Sequence, residues 1–140
     1  ALFAERPLAD RKVRFAYALK AYKKSNDEPY LDVRIPVNCK LPYTLSGRFT
    51  TRGQSQEGVR LNLFEVDHGS PDEQLPLQEG RFTQLTARHS FGKPVPRGTP
   101  VIITTELSED GLLTLIVDDG GISTQGITRH TFDIARSLDD

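Results

Sequence analysis

The 140-residue chain predicts an antiparallel β-sandwich of about eight strands, with little or no helix at the C-terminus. Three observations predict it. Apolar and polar residues alternate with period 2 in several short segments, as strands with one buried face require. Stretches rich in glycine, proline, asparagine and aspartate punctuate those segments and supply turn conformations. Almost nothing between the turns reads as helix.

Residues 1–12 form a linker or terminal segment, 13–133 the sandwich, and 134–140 could open a helix. In Val13–Tyr22, Val13, Phe15, Tyr17 and Leu19 alternate with Arg14, Ala16 and Ala18. The alanines and lysines would also suit a helix, but aromatic and β-branched residues on one face favour a strand. Lys23–Pro29 is a polar, turn-forming loop. Leu31–Val37 alternates again, and Pro36, which has no N–H for a ladder, ends the strand or puts it at an edge. Leu41, Pro42 and Tyr43 continue as an extended connection.

The hairpin that follows is the first candidate for function. Arg48–Thr51 leads into the polar loop Arg52–Gly58, and Val59, Leu61 and Leu63 then alternate with Arg60 and Asn62. A connection of about seven residues is longer than a hairpin needs, and such loops are where binding residues collect. Beyond Val66, Asp67–Gly80 reads as loop, Arg81–Leu85 as a short strand, and Arg88–Pro100 as too rich in proline and glycine for regular structure. Val101–Leu107 is the strongest strand. A turn at Ser108–Gly111, ending in Asp-Gly, returns the chain along Leu112–Val117. Asp118–Gly126 is a loop and Ile127–Phe132 the last strand. Within Val101–Leu107, Ile102 lies on the face opposite Val101 and Ile103, where a sandwich strand normally carries polar residues. It is therefore either covered by chain or lining a pocket.

Composition excludes several classes. With 18 basic and 19 acidic residues the net charge is −1, so no bulk charge points to nucleic acid or a membrane surface. No apolar run approaches the ~20 residues of a membrane span, and no secretory leader is visible. The chain begins at Ala1, as an excised fragment or processed product would. The one cysteine, Cys39, has no internal disulfide partner, which favours a reducing, cytoplasmic setting. His68, His89 and His130 are scattered, so no catalytic constellation is expected, and none of metal-binding type. Asp118-Asp119-Gly120-Gly121 lacks the spaced oxygens of a calcium loop and reads as a solvated turn. No glycine loop for phosphates is present, so no nucleotide is expected in this chain.

Three stretches then share a pattern: RIPVNCKLPYTLSGRFTTRGQSQEGVRLNLFEV, LPLQEGRFTQL and PVPRGTPVIITTELSEDGLLTLIVDD. Ile35–Asn38, Leu41-Pro42 and Phe49-Thr50-Thr51 echo an I-x-x-N, I-P, F-[ST]-T order. Gly80–Phe82, the P-R-G-x-P-x-I segment Pro96–Ile102 and the D-G-[IL]-L turn Glu109–Leu113 follow. From about Val13 to Phe132 the chain resembles the peptide-binding β-domain of the seventy-kilodalton heat-shock chaperones, the DnaK type.

That resemblance implies a domain holding extended hydrophobic segments of unfolded polypeptide, gripped by the loops after the first strand and within the central hairpin. It implies a pocket for one aliphatic side chain lined by Ala21, Phe49, Val59, Leu61 and Ile102, with Lys24, Thr50, Arg52 and Gln56 along the peptide path. It implies no cofactor in this chain, with ATP confined to a separate upstream domain. Partners would be unfolded or extended peptides, the chain's own nucleotide-binding domain and co-chaperones, with no nucleic acid and no membrane. Several features depart from the pattern. Lys24 and Arg52 stand where the family bridges the peptide with small or apolar side chains, implying an open arch or one tuned to acidic peptides. The Lys23–Pro29 loop is about three residues longer than usual. ALFAERPLADRKV does not reproduce the leucine-and-aspartate interdomain linker. The lid is absent or only begun at Ile134, so binding is expected to be fast and weak. An exposed groove also invites capture of a neighbour's tail, such as Ala1–Leu8. The alternative is a structural or protein-docking sandwich of the same fold that has lost peptide binding.

Overall fold

The computed structural model describes residues 12–135 and 138–139. Its strands are β1 (Lys12–Val13), β2 (Ala16–Tyr22), β3 (Pro29–Ile35), β4 (Tyr43–Thr50), β5 (Gln56–Val66), β6 (Gln74–Pro76), β7 (Arg81–Val95), β8 (Pro100–Leu107), β9 (Leu112–Asp118), β10 (Ile127–Asp133) and β11 (Leu138–Asp139). One sheet runs β6-β3-β2-β5-β7, the other β10-β9-β8-β4, and β1 pairs with β11. Every pairing is antiparallel. The architecture is the expected β-sandwich.

The period-2 residues make its core. Tyr17 and Leu19 of β2, Leu61 and Leu63 of β5, Val101, Ile103 and Leu107 of β8, and Leu113, Leu115 and Val117 of β9 fill the space between the sheets. Such close-packed apolar burial is the main favourable contribution to folding.

The five-stranded sheet is apolar on both faces. Ala16, Ala18, Leu31, Val33, Val66 and Leu75 form a second cluster on its outer side. The segment read as plain loop, Asp67–Gly80, is what covers it: β6 pairs with β3, and a 3-10 turn at Leu77–Glu79 adds Leu77 to the cluster. The close approach needs glycine. A Cβ on Gly80 would come within 2.4 Å of the Leu31 side chain.

Two other expectations give way. Residues 88–95 are not irregular but continue β7, which runs for 15 residues. Gly92 and Pro94 fall within the register shift opposite Gln56–Gly58, where Gly92 takes φ +74, and a second shift lies opposite Asn62–Phe64. Bulges let an edge strand carry residues that a regular ladder rejects. At the C-terminus, Leu138–Asp139 are extended and pair with Val13–Lys12, where a helix start was expected. Before them Ile134 packs into the main core and donates its N–H to the Gly111 carbonyl. The tail residues 1–8 lie outside the described residues.

Candidate binding groove

Beyond Leu19 and Leu63 the pairing of β2 with β5 stops although both strands run on, and three connections gather round the opening. The β2–β3 connection is preordered by its own bonds: Lys23 donates to the Glu28 carbonyl and Asp27 to the Lys23 carbonyl, both at 2.9 Å. In the β4–β5 loop the Gly53 N–H donates to Gln56 Oε1 at 2.9 Å, and Gln56 Nε2 donates to the Gly58 carbonyl at 2.8 Å. Thr51, buried at the end of β4, donates to the Pro96 carbonyl at 2.8 Å and accepts from the Thr99 N–H at 3.0 Å. That ties the β7–β8 connection to the same rim.

The groove so framed encloses about 1620 Å³. Its apolar lining is Leu19, Ala21, Phe49, Val59, Leu61, Val101 and Ile103. Most of these also belong to the main core or pack against it, so the floor is the sandwich interior exposed at its end. Phe49 is held from behind by buried Arg34, whose guanidinium carbon lies 5.6 Å from the ring centroid. Arg34 is itself ion-paired to Asp32 and Asp72.

Of the residues expected from sequence, Ala21, Lys24, Phe49, Thr50, Arg52, Gln56, Val59 and Leu61 all line this groove. Ile102 does not. It is 40% exposed on the outer face of the four-stranded sheet, in register between Arg48 and Asp118. The reason is the strand period: β8 turns Val101 and Ile103 inward, so the residue between them faces out. The pocket wall on β8 is therefore Val101 and Ile103, which share the inward face with the floor. Reading apolar Ile102 as a pocket residue put the pocket on the wrong side of the strand.

Sequence reading also missed Tyr22 and Asp27. Arg52 reaches from the β4–β5 loop across the mouth, its guanidinium carbon 3.9 Å from the Tyr22 ring centroid and its Nε 3.3 Å from Asp27 Oδ1. The arch position is thus closed by a stacked and ion-paired arginine rather than left open. Tyr22 ends the first alternating strand and Asp27 lies in the adjoining loop, but nothing in the sequence couples either to Arg52. Only the fold brings them to Arg52. Lys24 makes no ion pair among the described residues.

A second polar cluster lies away from the groove. His89 of β7 is fully buried, with Nε2 2.7 Å from Asp119 Oδ2 and Nδ1 2.8 Å from Thr128 Oγ1. The expected solvated turn at Asp118–Gly121 is therefore buried at Asp119. Its carboxylate also accepts the N–H groups of Gly121, Ile122 and Ser123 at 2.9–3.0 Å. Desolvation pushes the Asp119 carboxyl up, but hydrogen bonds from Ser123 and His89 outweigh it and hold the group at about 2. The cluster joins β7 of one sheet to the β9–β10 loop of the other. Burial pushes the Cys39 thiol up to about 11, which keeps it protonated and unreactive.

With this geometry in place, known proteins offer a partial comparison. No family model matches the chain. Two proteins named Chaperone protein DnaK, from two strains of Halobacterium salinarum, are each 30% identical to it over 88 residues. The match takes in 62% of this chain and 13% of the length of those proteins. The similarity hints at the seventy-kilodalton heat-shock family. Among the described residues no helix is long and apolar enough to cross a membrane.

Proposed function

We propose that the groove holds extended apolar segments of unfolded polypeptides, seating one aliphatic side chain on the floor between Phe49, Val59 and Val101. The observation that carries this reading is a core-like apolar floor, open at the sandwich end and spanned by Arg52. The DnaK likeness supports a chaperone-like role of the same kind. Burying a leucine side chain contributes about 1.5–3 kcal/mol. Micromolar affinity requires about 8 kcal/mol, so main-chain hydrogen bonds and rim contacts supply the rest. Main-chain bonding is indifferent to sequence and one apolar slot asks little of it, so the groove would accept many segments weakly.

In this reading the chain performs no catalysis and takes no cofactor. ATP belongs to a separate upstream domain where the full-length protein carries one, and the setting is the cytoplasm. The sealed His89–Asp119 pair acts as a structural tie. The alternative, a docking sandwich that has lost peptide binding, would be favoured by a groove filled by the chain's own side chains. The groove's open floor supports peptide holding instead. Val59→Phe decides between them. It should fill the slot and weaken binding of a fluorescent leucine-centred peptide at least about ten-fold, the effect of losing one buried aliphatic side chain. Unchanged peptide affinity in that variant would refute the slot.

A further inference from the structure

We propose that this groove selects apolar segments flanked by acidic residues, a substrate class that rests on the peptide-holding reading above. The argument is the distribution of charge. The chain as a whole is nearly neutral, at −1. The groove is not. Lys23 and Lys24 line it from the β2–β3 loop. Arg52 lines it from the β4–β5 loop and Arg97 from the β7–β8 connection, whereas Lys20, Arg48 and Arg60 alternate with the floor residues Leu19, Phe49, Val59 and Leu61 and turn their side chains to the outer faces of their sheets. The only carboxylate among these lining residues is Asp27, and Arg52 already holds it. The loops round the groove therefore carry four cations and one anion, a surplus of three, on a chain with one more acid than base.

Most of that charge is available. Among the described residues Lys24 and Arg97 make no ion pair, and both are exposed. Lys23 pairs only loosely with Glu28, at 3.9 Å. Cations surround a floor of aliphatic and aromatic side chains, so the complementary ligand has an aliphatic centre and carboxylates on either side. A groove lined by one sign of charge with apolar walls concentrates its own field, raising the encounter rate with ligands of opposite charge. The apolar floor distinguishes this arrangement from a plain anion site, because a polyanion with no aliphatic side chain leaves the floor wet.

The test uses the whole chain and three short fluorescent peptides that share a leucine centre and differ in flanks: glutamate and aspartate, lysine, or serine. The acid-flanked peptide should bind about ten-fold tighter than the lysine-flanked one at low salt, since each exposed ion pair contributes roughly two-fold. The serine-flanked peptide should fall between them. The gap should close as sodium chloride rises from about 50 mM to about 500 mM, because exposed charges are screened. Lys23→Glu combined with Arg97→Glu should abolish the preference while the serine-flanked peptide still binds, with the thermal unfolding temperature as the check on folding. The salt series on the unaltered chain tests the same claim without any variant.

Equal affinity for acid and lysine flanks, with the serine-flanked peptide binding, would overturn the charge selection and leave peptide holding intact. No binding by any of the three would overturn both. Competition by single-stranded DNA as strong as by the acid-flanked peptide would overturn the proposal in favour of a nucleic-acid site.

Discussion

Two side-chain cross-links tie distant parts of this chain, and they differ in almost every physical respect. His89 and Asp119 meet at 2.7 Å with both side chains fully buried, and the carboxylate is saturated by backbone N–H groups. Arg52 and Asp27 meet at 3.3 Å with both side chains 52% exposed, and the arginine rests on an aromatic face. The first replaces the hydration of two groups with fixed partners, so opening it would strand a buried charge. The second remains largely in water, so opening it costs little. The molecule thus has one tie that holds its sheets together and one exposed clasp across the groove mouth that opens at little cost.

The largest effect that would break this contrast is on the buried tie. Asp119→Ala should lower the unfolding free energy by about 3 kcal/mol or more, measured by urea denaturation, because it leaves His89 and three N–H groups without their partner. Acid should act on the same group. A carboxyl held at about 2 when folded, against 3.8 ordinarily, contributes stability that is fully present above about pH 4 and lost as pH falls towards 2. The loss should amount to about 2 kcal/mol, and Asp119→Asn should flatten that part of the pH–stability curve. A curve unchanged by the substitution would place the acid sensitivity elsewhere.

The clasp should respond more mildly. Arg52→Ala should change stability by less than about 1 kcal/mol yet speed peptide release roughly three-fold in stopped-flow displacement, since it removes an exposed pair and one cation–π contact. If stability falls as far as in Asp119→Ala, the two cross-links are alike and the contrast fails. The smallest effect belongs to the outer face. Ile102→Ser should leave peptide affinity unchanged and stability within about 0.5 kcal/mol, as for an ordinary surface position.

Where sequence reading succeeded and failed follows the range of the forces involved. Val59 and Leu61 were recognisable as neighbours on one face because alternation is a local property of a strand. Ile102 was misplaced because the family likeness assigned it to the pocket, although alternation had already set it on the face opposite Val101 and Ile103. Asp119 was misread because a turn sequence looks the same whether it meets water or a buried histidine 30 positions away. The 15-residue β7 was missed because its irregularity is absorbed by bulges against β5, and a single strand's composition does not show its partner. Tyr22, Asp27 and Arg52 had no pairwise signal, being separated by 25 positions at the ion pair.

What the chain's own order of residues determined is the class of fold: short alternating strands and turn-forming residues leave two packed antiparallel sheets as the way to bury the apolar half of each strand. What only folding decided is where that core is left uncovered, which cations surround the opening, and which charges are removed from water. Those outcomes depend on contacts between residues far apart along the chain, and burial, which sets the strength of each charge's interactions, exists only once both partners are in place.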